Sequence, residues 1–130
     1  MWHELVTQDD IEKLMDGYGY FHDGCMVRLE YSSGVHVDGD LSMCFDSTIS
    51  SRMIFQRQYQ DPKTIELLFE GVTCMGIYSE DIGYALILGA SMFFFENKIF
   101  WFDSYGVKAP IEDYKGVWIC AEKSKWRIID

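Results

Sequence analysis

The chain of 130 residues is short of cations, prolines, histidines and long apolar runs, and each shortage excludes something. Eleven Lys and Arg face 21 Asp and Glu, a formal net charge of −10 with a pI near 4.6. Nucleic acid is therefore excluded as a partner, because phosphate binding rests on clustered Lys and Arg. No run approaches the roughly 20 apolar residues of a membrane-spanning helix. The longest uncharged stretch, Ile82 to Phe95, is fourteen residues long and contains Gly83 and Gly89, so it reads as a buried segment and not as an anchor. Neither G-x-x-x-x-G-K-S/T nor G-x-G-x-x-G occurs, which removes the phosphate-cradling loops, and Gly17-Tyr18-Gly19 reads as a turn. G-x-S-x-G is missing too, and no serine has a histidine at a recognisable spacing. Cys25, Cys44, Cys74 and Cys120 lack any C-x-x-C or metal-ligand spacing. Met1-Trp2-His3-Glu4 has no basic stretch ahead of an apolar run. The expectation is a cytoplasmic chain with free thiols and no cofactor.

What is present is hydrophobic and aromatic: 48% and 16% of residues, respectively. That composition excludes intrinsic disorder. The length suits one domain over residues 1–130, burying about two thirds of its unfolded surface without metal or disulfide support.

Thr7 and Asp10 have the spacing of a capping box, and Ile11, Leu14 and Met15 follow at i, i+3 and i+4. This predicts one short helix, ended by Gly17 and Gly19. Beyond Gly24 the period becomes two: Cys25, Val27, Leu29 and Tyr31 alternate with Met26, Arg28 and Glu30, predicting a half-buried strand. Val35 to Ser50 shows no period and reads as a long acidic loop or irregular edge. Arg52–Tyr59 and Thr64–Val72 read as a hairpin turning at Gln60-Asp61-Pro62-Lys63, and Gly71 as a bulge or bend before Val72–Tyr78. Further strands are expected over Tyr84–Leu88, Ser91–Glu96 and Lys98–Asp103, the last two joined at Asn97. Val117–Glu122 and Lys125–Ile129 read as a final hairpin. The result is a mainly β chain: an antiparallel sandwich or strongly curved sheet of seven to eight strands with one short N-terminal helix.

Charge is unevenly spread. Residues 1–50 carry ten acids and only Lys13 and Arg28 as bases, a net −8; residues 51–130 carry a net −2. Such asymmetry solubilises a surface and steers a basic partner. Within the acidic half, His22 beside Asp23 has the makings of an oriented base, and with His36, Asp38 and Asp40 of a metal site. Hydrogen bonding to the backbone at a strand entry is the simpler role for His22 and Asp23. Asp38-Gly39-Asp40 resembles a calcium loop only superficially, since the sixth position would be Met43 and the twelfth Ile49. Asp46 completes the acidic set. Phe93-Phe94-Phe95 and Phe100-Trp101-Phe102 flank Asn97 and put aromatics on both faces of their hairpin. Either both faces are covered or one is an interface; Trp101 and Trp118 are the candidate contact residues.

Phe21-His22-Asp23 leading into a strand, Ile65-Glu66-Leu67-Leu68-Phe69-Glu70-Gly71-Val72, Gly89-Ala90-Ser91 and Ile99-Phe100-Trp101 together resemble a group of small bacterial domains. These are loosely similar to the immunity-protein-50-like proteins of polymorphic toxin systems, and the resemblance spans roughly residues 20–103. It implies a β-rich, non-catalytic protein that binds and neutralises a toxin. Gly24 departs from the small side chain usual after that His-Asp, and residues 35–50 have no counterpart.

Three functions follow as expectations. The first is a protein-binding domain that uses its acidic surface against a partner such as a basic toxin. The second is a small-molecule-binding or enzymatic domain with its site near His22 and Asp23. The third is a self-associating protein, such as a homodimer, that pairs edge strands or aromatic faces.

Overall fold

In the computed structural model, which describes residues 1–45, 48–78 and 86–129, the chain is mainly β. In chain order the elements are β1 (His3–Leu5), α1 (Gln8–Gly17), a 3-10 turn (Gly19–Phe21), β2 (Gly24–Ser32), β3 (Val35–Val37), β4 (Met43–Phe45), β5 (Ser50–Arg57), β6 (Thr64–Gly76), β7 (Leu86–Ile87), β8 (Ser91–Phe95), β9 (Lys98–Phe102) and β10 (Trp118–Ile128). One antiparallel sheet runs β7-β2-β5-β6-β10-β9-β8, with β1 also paired to β10, and β3 pairs β4 in a small second sheet. The large sheet curls into a half-barrel, the strongly curved of the two expected arrangements.

The helix forms where the spacing places it. Thr7 Oγ1 accepts from the Asp10 amide (3.2 Å), and Asp10 Oδ2 accepts from the Thr7 and Val6 amides (3.0 Å each). Ile11, Leu14 and Met15 are buried in the hollow of the sheet with Phe55, Ile65, Leu67, Phe69 and Trp101. After α1 the backbone is left-handed at Gly19, Tyr20, Phe21 and Asp23 (φ 56–63°). That excursion drives Phe21 into the core, edge-on to Tyr18 (5.1 Å), Phe55 (4.9 Å) and Trp101 (5.6 Å). Gly24 must be glycine, because a Cβ there would lie 2.9 Å from the Phe21 carbonyl oxygen and 3.1 Å from that of Gln56.

Gly71 does bend its strand. Its φ is +69°, and the Gly71 and Val72 amides both donate to the Ile49 carbonyl (2.9 and 3.0 Å), two donors on one acceptor as in a bulge. The strand continues through the bend, so β6 is one 13-residue element and not two.

Four other expectations are corrected. Val27 is an extra residue in β2: Met26 lies opposite Phe55, and Arg28 opposite Ile54. This reverses the facing, so Met26 and Leu29 pack on the core while Val27 and Tyr31 are exposed. Val35 to Ser50 is not a loop, since it contains β3 and β4, each too short for a period to show. The final hairpin is instead one strand, β10. The polar stretch Glu122-Lys123-Ser124-Lys125 contains no turn residue, and Ser124 is buried with its hydroxyl donating to the Leu68 carbonyl (3.0 Å). Exposed Glu122 and Lys123 fall in the gap between β9, which pairs Trp118–Ala121, and β1, which pairs Ser124–Trp126. In the apolar run 82–95, Leu86 and Leu88 are exposed although Ile87 is buried; the part of that run at 82–85 lies outside the described residues.

Both faces of the β8–β9 hairpin are covered. Trp101 and Ile99 fill the inner core, so Trp101 is no contact residue. On the outer face Phe93, Phe100, Phe102 and Trp118 stack nearly parallel at 5.5–6.2 Å under Tyr114 and Val107. The covering segment is held by Asp103, whose carboxylate accepts from the Tyr114 hydroxyl (2.5 Å) and the Val117 amide (2.9 Å). Burial and that carboxylate push the Tyr114 phenol well above its ordinary pKa. On the outer face of the central strands, fully buried Glu66 is held by Arg127 (2.6 Å) and Arg52, and Arg52 also reaches Glu30 (2.9 Å).

Trp101→Ala should cost about 3–5 kcal/mol, the range for a fully buried aromatic, and Thr7→Ala about 1 kcal/mol through the lost cap. Denaturant midpoints check both. A Trp101→Ala loss no larger than that of Thr7→Ala would remove Trp101 from the centre of the core.

Candidate interaction surface

β3 and β4 form a hairpin that, among the described residues, pairs with no other strand. Its register sets Val35 opposite Phe45 and Val37 opposite Met43, so all four side chains share one face. That face is unpacked: Val37 is 55% exposed, Met43 59% and Phe45 75%, and Leu41 at the turn is 86%. His36 and Cys44, also directly opposed, occupy the other face. At the root of the hairpin, Leu29 and Tyr31 of β2 line an apolar hollow with Met75, Gly76 and Ile77.

Asp38 builds the turn. Its Oδ1 accepts from the Asp40 (2.9 Å) and Ser42 (3.1 Å) amides, and its Oδ2 from the Cys44 thiol (3.2 Å). The Ser42 amide, then the thiol and the Asp40 amide, hold the Asp38 carboxyl below the usual range, and the same carboxylate pushes the Cys44 thiol up. Both oxygens of the carboxylate are thus engaged within the turn, one by two backbone amides and one by the thiol. Asp40 is exposed beside this turn, and Asp46 lies outside the described residues.

His22 and Asp23 do meet, with Nδ1 3.1 Å from Oδ2, but both are largely in solvent. Asp23 has φ +59°, a conformation Asp tolerates, and its carbonyl accepts from the Gln58 amide (3.1 Å). The two side chains thus meet each other, while the backbone link at the strand entry is made by the Asp23 main-chain carbonyl, and the pair is not gathered with His36, Asp38 and Asp40. Among the described residues, no three His, Cys, Asp or Glu side chains come together as a metal site, and no helix is long and apolar enough to cross a membrane. Trp118 is half-buried, stacked on Phe102 (5.7 Å) and lying against Gly76, where a Cβ would collide with its indole nitrogen. Among the described residues, the expected site residues His36, Asp38 and Asp40 lie in the hairpin, and none of the expected site residues is on its apolar face. Sequence reasoning missed the members of that face, although Val35-His36-Val37 and Met43-Cys44-Phe45 each alternate once.

The chain matches no protein family, no curated protein and no solved structure.

The four cysteines are free thiols. Cys74 is exposed, whereas its cross-strand neighbour Cys120 is buried, which pushes that thiol up. A disulfide reagent at neutral pH should label Cys74 first and Cys120 only on unfolding; equal labelling rates in peptide mapping would contradict the packing around Cys120.

A carboxyl whose pKa is lower when folded stabilises fully above its unfolded pKa near 4 and loses that contribution as the pH falls through the folded value. The Ser42 amide resonance should therefore move toward its random-coil position only as the pH falls below about 4. Asp38→Ala should place it there already at neutral pH, leaving the β6 and β10 resonances unchanged.

Proposed function

We propose that this chain is a non-catalytic protein-binding domain whose β3–β4 hairpin docks a basic partner protein. The carrying observation is the unpacked face of Val35, Val37, Met43 and Phe45. Monomeric proteins rarely leave clustered apolar residues uncovered without a use for them. Asp38 and Asp40 sit at the tip of the same hairpin, within the half of the chain that carries a net −8. The arrangement suits an interface with an apolar centre and a charged rim. Carboxylates around the patch raise the association rate of a cationic partner and disfavour an anionic one, and the apolar centre supplies the residence time. The toxin-neutralising role implied by the immunity-protein-50-like resemblance is one form of this reading, with a basic toxin as partner.

The test is binding to a basic toxin-like protein encoded beside this chain in its genome, followed calorimetrically at two salt concentrations. Val37→Ala with Phe45→Ala should weaken binding by at least about 30-fold, the effect of losing one hot spot of 2 kcal/mol. Added salt should slow association more than it speeds dissociation. Unchanged affinity in the double variant, with its fold intact, would sink the hairpin as the docking element.

A further inference from the structure

β8 is an edge strand, the last in the order of the large sheet. It joins β9 through a two-residue turn in which Glu96 and Asn97 are both left-handed (φ 50° and 65°), with Phe95 opposite Lys98. In such a hairpin the flanking pair is hydrogen-bonded, and every second residue from it bonds the same way. Phe95, Phe93 and Ser91 therefore turn their amides and carbonyls toward β9, while Ala90, Met92 and Phe94 turn theirs outward. The Ala90 amide is taken by the Tyr20 carbonyl (2.8 Å). Among the described residues, no hydrogen bond occupies the outward groups of Met92 and Phe94.

Two hollows border β8, one beside its open edge and one at the tip of its hairpin with β9. One, of about 570 Å³, is bordered by Met92 and Phe93, with Glu12 of α1 on one wall and Lys108 on the other. The second, of about 700 Å³, is bordered by Phe94 and carries Glu4, Glu96, Glu122 and Lys123. Glu12 and, at the turn that follows β8, Glu96 are the carboxylates beside the strand, and Lys108 shares the hollow of Glu12; the Glu122 carboxylate turns away, against Gly71 of β6.

We propose that the β8 edge is a second, separate docking site, which takes an extended segment of another protein bearing alternate basic side chains. The segment pairs with Met92 and Phe94 and continues the row that the Tyr20 carbonyl begins. Main-chain bonds supply affinity without regard to sequence, and side chains entering flanking hollows supply selectivity. Against Glu12 and Glu96, cationic side chains are favoured over anionic ones. β8 itself, Ser-Met-Phe-Phe-Phe, is uncharged. A second copy pairing its own β8 here brings an uncharged strand and a net −10.

Amide exchange by NMR on the full chain tests this. In the dilute free protein, Met92 and Phe94 should exchange much faster than Phe93. The blocked peptide Ac-Lys-Val-Lys-Val-Lys-amide, at ten times its Kd, should slow Met92 and Phe94 about ten-fold. The Ac-Glu-Val-Glu-Val-Glu-amide counterpart should leave them unchanged. Phe94→Pro removes an outward amide and no β8–β9 bond, so it should abolish the response. Should that variant misfold, Glu12→Lys with Glu96→Lys, expected to weaken the basic peptide and not the fold, takes its place. Three results would overturn the proposal: protection of Met92 and Phe94 in the dilute free protein, equal responses to both peptides, or protection that rises with protein concentration alone, which would make a second copy the occupant. Val37→Ala with Phe45→Ala should not alter the response, so this site and the hairpin succeed or fail separately.

Discussion

The architecture depends on filling the hollow of a curled sheet with very little chain. One ten-residue helix and the two aromatic side chains that follow it, Tyr18 and Phe21, do most of it. Phe21 reaches the centre only because the backbone before it turns left-handed, which costs non-glycine residues such as Tyr20 and Phe21 about 1–2 kcal/mol each. Complete burial of a phenylalanine contributes about 1.5–3 kcal/mol, and its edge-on contacts with Tyr18, Phe55 and Trp101 add to that. The two sides are of comparable size, so the conformation persists through its packing. The same turn sets the start of β2 at Gly24 and places the Tyr20 carbonyl on Ala90, at the head of β8. The direction of β2, and the root of the hairpin that extends beyond it, follow from how Phe21 is seated.

A single curled sheet leaves an outer face to be covered, and two different solutions meet there. Over β8, β9 and the start of β10, stacked phenylalanine and tryptophan rings lie under the segment pinned by Asp103 and Tyr114. Over β5, β6 and the end of β10, the cover is charge: Glu66 lies fully buried beneath the guanidinium groups of Arg52 and Arg127. A buried carboxylate is tolerable only with close partners, and two cationic forks from neighbouring strands provide them. With both wings covered in this way, a second sheet is not needed to complete the fold.

What was legible from residues alone is local. Thr7, Asp10 and the stripe Ile11-Leu14-Met15 specify a helix through contacts within a few residues, and it is found there. Gly71 announces its bend because left-handed backbone leaves few other choices. The errors arise where a neighbour decides. Val27 becomes an extra residue because β5 lies opposite, and nothing near Val27 in sequence signals it. Ser124 looks like part of a turn until β6 supplies the Leu68 carbonyl for its hydroxyl. Among the candidate site residues, Asp38 was recognisable as special, but its carboxylate serves the turn it sits in. Trp101 was recognisable as a large apolar group, and only the curl of the sheet decides that it faces inward.

β10 is bordered along one side by β6 and along the other by β9 and then β1. It is thus an interior strand that the ribosome makes after every strand it joins. Until it emerges, β6 and β9 each present a bare ladder, and β1 has nothing to pair with. Pairing at such long sequence separation is slow, and bare ladders are what aggregation exploits. The nascent chain therefore cannot close its sheet piecemeal. It must wait, with its most apolar strands half-matched, for the one element that joins them.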